Sequence, residues 1–197
     1  SQDVHRRASR DRHVFSALML AHGHGDGLVT GATRKSAHVL GLLNHVFDAR
    51  AEDGAVGVTA LLLNGRIVLI TDTLVHEWPD QEDLATIAFV SFSTFGYPVS
   101  ERAEKMHQAP KVLENRGVDF EFEGEMTVDV ALNPQAMAHY PFSRLSGPAN
   151  VLVVPARHSA SISVKLMQEM AGATVIGPIL TGIDQSIQIC STVSTSS

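Results

Sequence analysis

Val151-Leu-Val-Val154 is the stretch that most constrains the fold. A strand with one solvated face alternates apolar and polar residues, whereas this run is apolar on both sides, as a strand in a parallel sheet must be. Its neighbours fit that sheet. Ser9–His22 carries Val14, Phe15, Leu18 and Met19 at helical spacing before Gly23. A short strand over Gly27–Thr30 leads through Gly31 into a helix over Thr33–Phe47. Two β-rich runs, Val56–Leu63 and Arg66–Thr71, flank Asn64-Gly65, the strongest short-range hairpin signal.

The alternation continues to the C-terminal end. The expected elements are a helix over Asp80–Ala88 with Asp80 as N-cap, a buried strand over Phe89–Ser93, and a helix over Pro98–Arg116 kinked at Pro110. The strand Val151–Val154, a helix over His158–Ala171, and strands over Thr174–Leu180 and Ser186–Cys190 follow. Strands alternating with helices predict an α/β fold: a mainly parallel sheet, helices on both faces, and one antiparallel hairpin. One join is odd. The helix expected to end at Ala88 meets the strand at Phe89 with no turn residue, although such connections take two or more residues. A deletion or missing residues at 88/89 would explain it, and missing residues is the expectation adopted.

Composition removes several function classes. A net charge of -6 provides no overall attraction to nucleic acid or anionic lipid. No apolar run reaches the roughly 20 residues of a membrane span, and Ser1–Arg7 has no apolar stretch of a secretory signal. The single Cys190 excludes an internal disulfide and fits a reducing cytoplasm. The expectation is a cytoplasmic protein without nucleic-acid or membrane partners.

Generic motifs are mostly negative. Gly31-Ala-Thr-Arg-Lys-Ser36 echoes a phosphate loop but has Arg34 and Val29 where glycines belong. His76-Glu77-Trp78-Pro79 begins like a zinc-protease motif and breaks at the proline. The ten histidines are scattered, so no metal site is expected. Three features carry more chemistry. Ser93-Thr-Phe-Gly96 and Ala156-Arg-His-Ser-Ala-Ser161 each follow a parallel strand, where open α/β sheets place ligands. Glu125 and Asp129 form an acidic pair around apolar residues. Each also has a plain structural reading: helix caps, a solvated cation, and acids closing a turn.

Phe89-Val-Ser-Phe-Ser-Thr-Phe-Gly96, Gly124-Glu-Met-Thr-Val-Asp129, Gly147-Pro-Ala-Asn-Val-Leu-Val-Val-Pro155 and Gly177-Pro-Ile-Leu-Thr-Gly182 resemble the phosphotransacetylase family. Val118–Met126, Tyr140–Gly147, His158–Ser163, Val29–Arg34 and Asp72–His76 more closely resemble the phosphotransacetylase-like C-terminal domain of large bacterial NADP-dependent malic enzymes. The resemblance implies an isocitrate/isopropylmalate dehydrogenase-like architecture. It also implies one family domain over residues 1–197, shortened at its N-terminus and separated from malic and NADP-binding domains. NADP and a divalent metal would belong to those other domains.

The resemblance carries a functional expectation as well. Where catalytic relatives are expected to carry arginines, this chain has Gly41, Thr192 and Glu169. Losing one preorganised cation typically costs on the order of 10² in rate. The implied role is therefore a non-catalytic regulatory and oligomerisation domain that binds acetyl-CoA. Active phosphate acetyltransferase is the alternative, and a purely structural platform a third reading. Within the implied effector site, Arg34 and Lys35 would meet phosphates. Ser93, Thr94, Ser191 and Thr192 would donate near the acyl end, and Asn150 and His158 would line the strand ends. Arg34 is the sharpest choice, because a cation in the first turn of a helix gains nothing from the helix dipole.

Overall fold

In the computed structural model the described residues are 11–31, 33, 36–47, 56–72 and 85–190. They fall into two compact units with boundaries at 57/58 and 177/178.

The unit that holds both chain ends contains α1 (Arg12–Ala21), β1 (Leu28–Gly31), α2 (Ser36–Leu43) and β8 (Ile187–Cys190). Asp11 caps α1 by accepting from the backbone of His13 at 2.9 Å. β1 and β8 pair in parallel, from Leu28 with Ile187 to Gly31 with Cys190. Ala17, Val39, Leu43, Phe47, Ile187 and Ile189 form this unit's core. Buried His13 meets the Thr30 hydroxyl through Nδ1 at 2.6 Å, tying α1 to β1.

The other unit is built on a sheet of order β5-β4-β6-β3-β2-β7. Its strands are β2 (Val56–Leu63), β3 (Arg66–Thr71), β4 (Thr86–Val90), β5 (Glu121–Met126), β6 (Val151–Val153) and β7 (Thr174–Thr181), the first and last of which run across the unit boundary. β5, β4, β6 and β3 are successively parallel, and β3 turns antiparallel to β2. Asn64 and Gly65 have φ of 51° and 74°, the paired positive values of the tight hairpin turn their sequence predicts.

Helices lie on both faces. Four more complete the unit: α3 (Glu101–Arg116), α4 (Val128–Leu132), α5 (Pro134–Met137) and α6 (Arg157–Ala171). Ile87, Phe89, Val151 and Val153 point to one face and pack with Met106 and Leu113 of α3. Ala88, Val90, Leu152 and Val154 point to the other, with Val130 and Ala131 of α4 and Val164 of α6. This strict alternation explains why both strands read as unbroken apolar runs. Ser100 caps α3, Glu101 and Glu104 occupy its first turn, and Gly117 ends it in the left-handed conformation. The helix is continuous across Pro110, which is buried with Ala103, Met106 and Leu113.

The helix expected over Asp80–Ala88 does not survive at its C-terminal end. Residues 80–84 lie outside the described residues, but Thr86–Val90 is strand. A short apolar run fits either element by periodicity alone. Tertiary pairing decides here, because Thr86 exchanges hydrogen bonds with Asn150 while Ala88 and Phe89 sit opposite Leu152 and Val153. The chain is thus regular strand through 88–89. The strand expected over Phe89–Ser93 lies three residues earlier, leaving 91–93 as loop.

Candidate functional site at the carboxyl edge of the sheet

β4, β5 and β6 are parallel, so their carboxyl ends lie at one edge, where open α/β sheets bind ligands. The loop after β4 is shaped by an irregularity in β5. Phe89 pairs with Gly124, the next residue Val90 pairs with Met126, and Glu125 is left over as a bulge. The bulge reverses the side-chain alternation. Phe122 faces the α3 side and Met126 the opposite side, although an unbroken strand would point both the same way. Only glycine fits before the bulge: Gly124 has φ 151°, and a Cβ there would lie 2.6 Å from the Phe89 carbonyl oxygen.

Glu125 is fully buried and accepts three hydrogen bonds. The Ser93 hydroxyl and the Gly96 amide donate to Oε1 at 2.8 and 2.9 Å. His107 of α3 donates from Nδ1 to Oε2 at 2.7 Å. Burial by itself pushes the carboxyl pKa up, but the donors at Gly96, Ser93 and His107 outweigh it and hold the pKa below the ordinary range. Because the carboxylate only accepts, the His107 proton sits on Nδ1 and Nε2 is the other ring nitrogen of a partly exposed side chain. The Glu125 carbonyl takes the Phe95 amide at 2.8 Å. A single buried residue thereby fixes Ser93, Phe95, Gly96 and α3.

The rest of the loop is held just as closely. Thr94 Oγ1 accepts from the Thr127 amide at 3.1 Å and donates to the Thr127 hydroxyl at 3.2 Å. Phe95 adopts φ 49°, and its ring packs 5.3 Å from Tyr140 and 4.8 Å from the exposed Phe142. Further along β5, Glu123 accepts from the amide, Nε and Nη2 of Arg144 at 3.0–3.1 Å. Burial raises the Glu123 pKa, but the bonds from Arg144 and the Gly124 amide outweigh it and leave a net depression. Arg144 also pairs with Glu114 and lies 4.9 Å from the Phe122 ring centre. Glu121 accepts from the amide and hydroxyl of Ser146, both at 2.9 Å. The acids of Glu121-Phe-Glu-Gly-Glu125 therefore anchor loops.

The expected site residues divide. Ser93, Thr94 and His158 follow the carboxyl ends of β4 and β6 and share that edge. Ser93, however, is fully buried and turned to Glu125, so its hydroxyl positions the loop and does not face a ligand. His158 is exposed in the first turn of α6. Asn150 is at the opposite edge: it precedes β6, its side-chain oxygen accepts from the Thr86 amide at 2.9 Å, and its carbonyl accepts from Leu69 at 2.8 Å. It ties the starts of β4 and β6 to the middle of β3 and stands apart from Thr94 and His158. Arg34, Lys35, Ser191 and Thr192 lie outside the described residues. Asp129 is exposed in the first turn of α4 and does not join Glu125. His107 was not among the expected residues. The signal for Glu125 was a charged residue directly after a glycine at the end of a strand, beside a hydroxyl-rich loop.

A carboxylate that orients a histidine is the supporting half of a proton-transfer pair. Among the described residues no group of three His, Cys, Asp or Glu side chains could hold a metal ion. No helix there is long and apolar enough to cross a membrane.

The mixed sheet, its helices on both faces and the loop-bearing carboxyl edge define an α/β fold similar to that of phosphotransacetylases: a crystal structure of a phosphotransacetylase from Streptococcus pyogenes superposes with a TM-score of 0.79 over 95% of this chain and 63% of that one, at 24% identity. The profile of the phosphate acetyl/butaryl transferase family matches residues 1–90 and 86–197, and the chain belongs to that family. An NADP-dependent malic enzyme of Rhizobium meliloti is 47% identical over 207 aligned residues, which cover 96% of this chain and 27% of that protein. A phosphate acetyltransferase of Bacillus subtilis is 27% identical over 95% of this chain and 64% of its own length. The chain thus spans about a quarter of the malic enzyme it matches.

Proposed function

We propose that this chain is the phosphotransacetylase-like region of an NADP-dependent malic enzyme, acting there as a non-catalytic domain that binds acetyl-CoA and self-associates. The observation that carries the reading is the 47% identity with a malic enzyme across almost the whole chain, against 27% with a phosphate acetyltransferase. On this reading malate is oxidatively decarboxylated to pyruvate and CO2 elsewhere in the polypeptide, where NADP and a divalent metal act. Acetyl-CoA binding here inhibits that reaction by favouring one state of the assembly. The setting is cytoplasmic, and the architecture is the isocitrate/isopropylmalate dehydrogenase-like form. A missing segment near 88/89 is supported by the match of the family profile in two stretches that overlap at 86–90.

The absence of transacetylase chemistry is supported by two described positions. Gly41 is exposed on α2 with nothing within 4 Å of where its Cβ would be, and Glu169 is exposed on α6. Both positions are open, so packing does not exclude an arginine at either. The remaining effector residues proposed are Arg34 and Lys35 for phosphates, Ser191 and Thr192 as neutral donors, and Thr94 and His158 at the carboxyl edge. The second reading, active phosphate acetyltransferase (acetyl-CoA and phosphate to CoA and acetyl phosphate), is favoured by the match to such an enzyme over most of its length.

Calorimetric titration with acetyl-CoA, CoA and acetyl phosphate, paired with a thioester assay, separates the readings. Saturable acetyl-CoA binding without turnover is expected, and Arg34→Ala should weaken it by about 1–3 kcal/mol, the worth of a charge-assisted hydrogen bond. Turnover near 1 s⁻¹ or above, about the low end of enzyme rates, would establish the transferase reading instead.

A further inference from the structure

The hydroxyls of Ser93 and Thr94 are spent on the fold: Ser93 donates to Glu125, and Thr94 is tied to Thr127. His107 is spent only on one side. Its Nδ1 donates to Glu125 Oε2 at 2.7 Å, its side chain is 38% exposed, and Nε2 makes no hydrogen bond among the described residues. The other oxygen of the same carboxylate holds the Gly96 amide, so the imidazole stands beside the turn of Thr94 and the exposed Tyr97. An imidazole with its Nδ1 proton held by a carboxylate presents a lone pair at Nε2 and only accepts there. A proton taken up at Nε2 leaves a cation facing the buried Glu125 anion, so no unpaired charge is created. The pair is arranged to take a proton from a ligand.

We propose that His107 tells free CoA from acetyl-CoA, its Nε2 taking the proton of the CoA thiol. The proposal rests on the CoA-type binding of the proposed function and adds a residue that sets its specificity. The two ligands differ only at sulfur. A thiol, with a pKa of about 8.5, has a proton to give, and a thioester has none. In the bound state the S–H bond breaks and an Nε2–H bond forms, leaving a thiolate beside an imidazolium. Glu125 stays ionised and keeps its bond from Nδ1, so charge is conserved and nothing is oxidised. Cysteine thiols pair with histidine in the same way. Holding a thiolate is not acetyl transfer, which also needs cations for the phosphate. Because both forms compete for one site, the domain responds to the acetylated share of CoA and not to acetyl-CoA alone.

Calorimetric titration of the full chain with CoA and with acetyl-CoA, read beside the ultraviolet absorbance of the thiolate, tests it. The wild type should bind CoA about tenfold or more tightly than acetyl-CoA, as expected for a charge-assisted hydrogen bond. Thiolate absorbance should rise with bound CoA. His107→Asn sets an amide nitrogen where the imidazole carries Nδ1, so the bond to Glu125 survives and Nε2 is lost. That variant should bring the two affinities together and abolish the thiolate signal, with an unfolding midpoint close to wild type. Equal wild-type affinities without a thiolate signal overturn the proposal, whatever the variant does. A preference for CoA that survives His107→Asn overturns it as well. Both results leave acetyl-CoA binding standing, whereas saturable binding of neither ligand overturns that reading too.

Discussion

His107 Nδ1 reaches the buried Glu125 carboxylate at 2.7 Å, joining the second turn of α3 to the bulge at the end of β5. The bond spans two elements that flank the candidate site, and Glu125 also holds Ser93 and Gly96. Glu125→Gln keeps the shape but places an amide donor opposite another donor. It should destabilise the fold by about 1–3 kcal/mol, the cost of leaving a buried polar group unmatched. Urea unfolding measures it. His107→Ala should cost less, since the imidazole is partly exposed, and an equal or larger loss for His107→Ala would mean that Glu125 is not the centre of the cluster.

Acid should unfold the protein through the same group. The folded pKa values of Glu125 and Glu123 are both depressed. Each therefore contributes stability that is fully present above the unfolded carboxyl value of about 4.3 and is lost as pH falls through the lower folded value. Stability measured between neutral pH and about pH 3 should fall on the acid side of that value. Glu125→Gln should flatten the fall. A variant with the wild-type slope would show that Glu125 does not supply it.

Asn150 separates a structural role from a binding role. Asn150→Ala leaves the Thr86 amide without its 2.9 Å acceptor and should cost about 1–3 kcal/mol. Because Asn150 sits at the edge opposite Thr94 and His158, acetyl-CoA affinity should not change. Calorimetry and unfolding on the same preparation check both halves. Weakened binding with unaltered stability would return Asn150 to the effector site.

The sequence displays what local chemistry dictates. Asn64-Gly65 identifies the hairpin because few residue pairs tolerate two positive φ angles, and Val151–Val154 identifies a strand covered on both faces. Strand order was not legible, since nothing in Thr86–Val90 names β5 and β6 as its neighbours. The start of β4 was missed for the same reason: Thr86 is strand because Asn150, 64 residues away, pairs with it. In the candidate site, the loop at Ser93-Thr94 was legible from its place after a strand. That Ser93 would be buried was not, because its orientation depends on a one-residue bulge in another strand. Glu125 read as a turn residue because sequence shows the charge and not the three donors that fold around it.

Two glycines offer opposite forecasts. Gly124 has φ 151°, and an added Cβ would meet the Phe89 backbone oxygen at 2.6 Å and its Cβ at 2.7 Å. Backbone in a strand core cannot move aside as a flexible side chain can. Gly124→Ala should therefore destabilise by about 2 kcal/mol or more, well beyond an ordinary surface change. It should also loosen the hold of Glu125 on Ser93 and Gly96, which hydrogen exchange at the Gly96 amide would register. Gly41 lies in α2, exposed, with open space around it. Gly41→Ala should stabilise by about 0.5–1 kcal/mol, because alanine gives up less backbone freedom on entering a helix. A loss of stability at Gly41 would mean that the position is constrained by something its open surroundings do not account for, and that an arginine there could be excluded sterically.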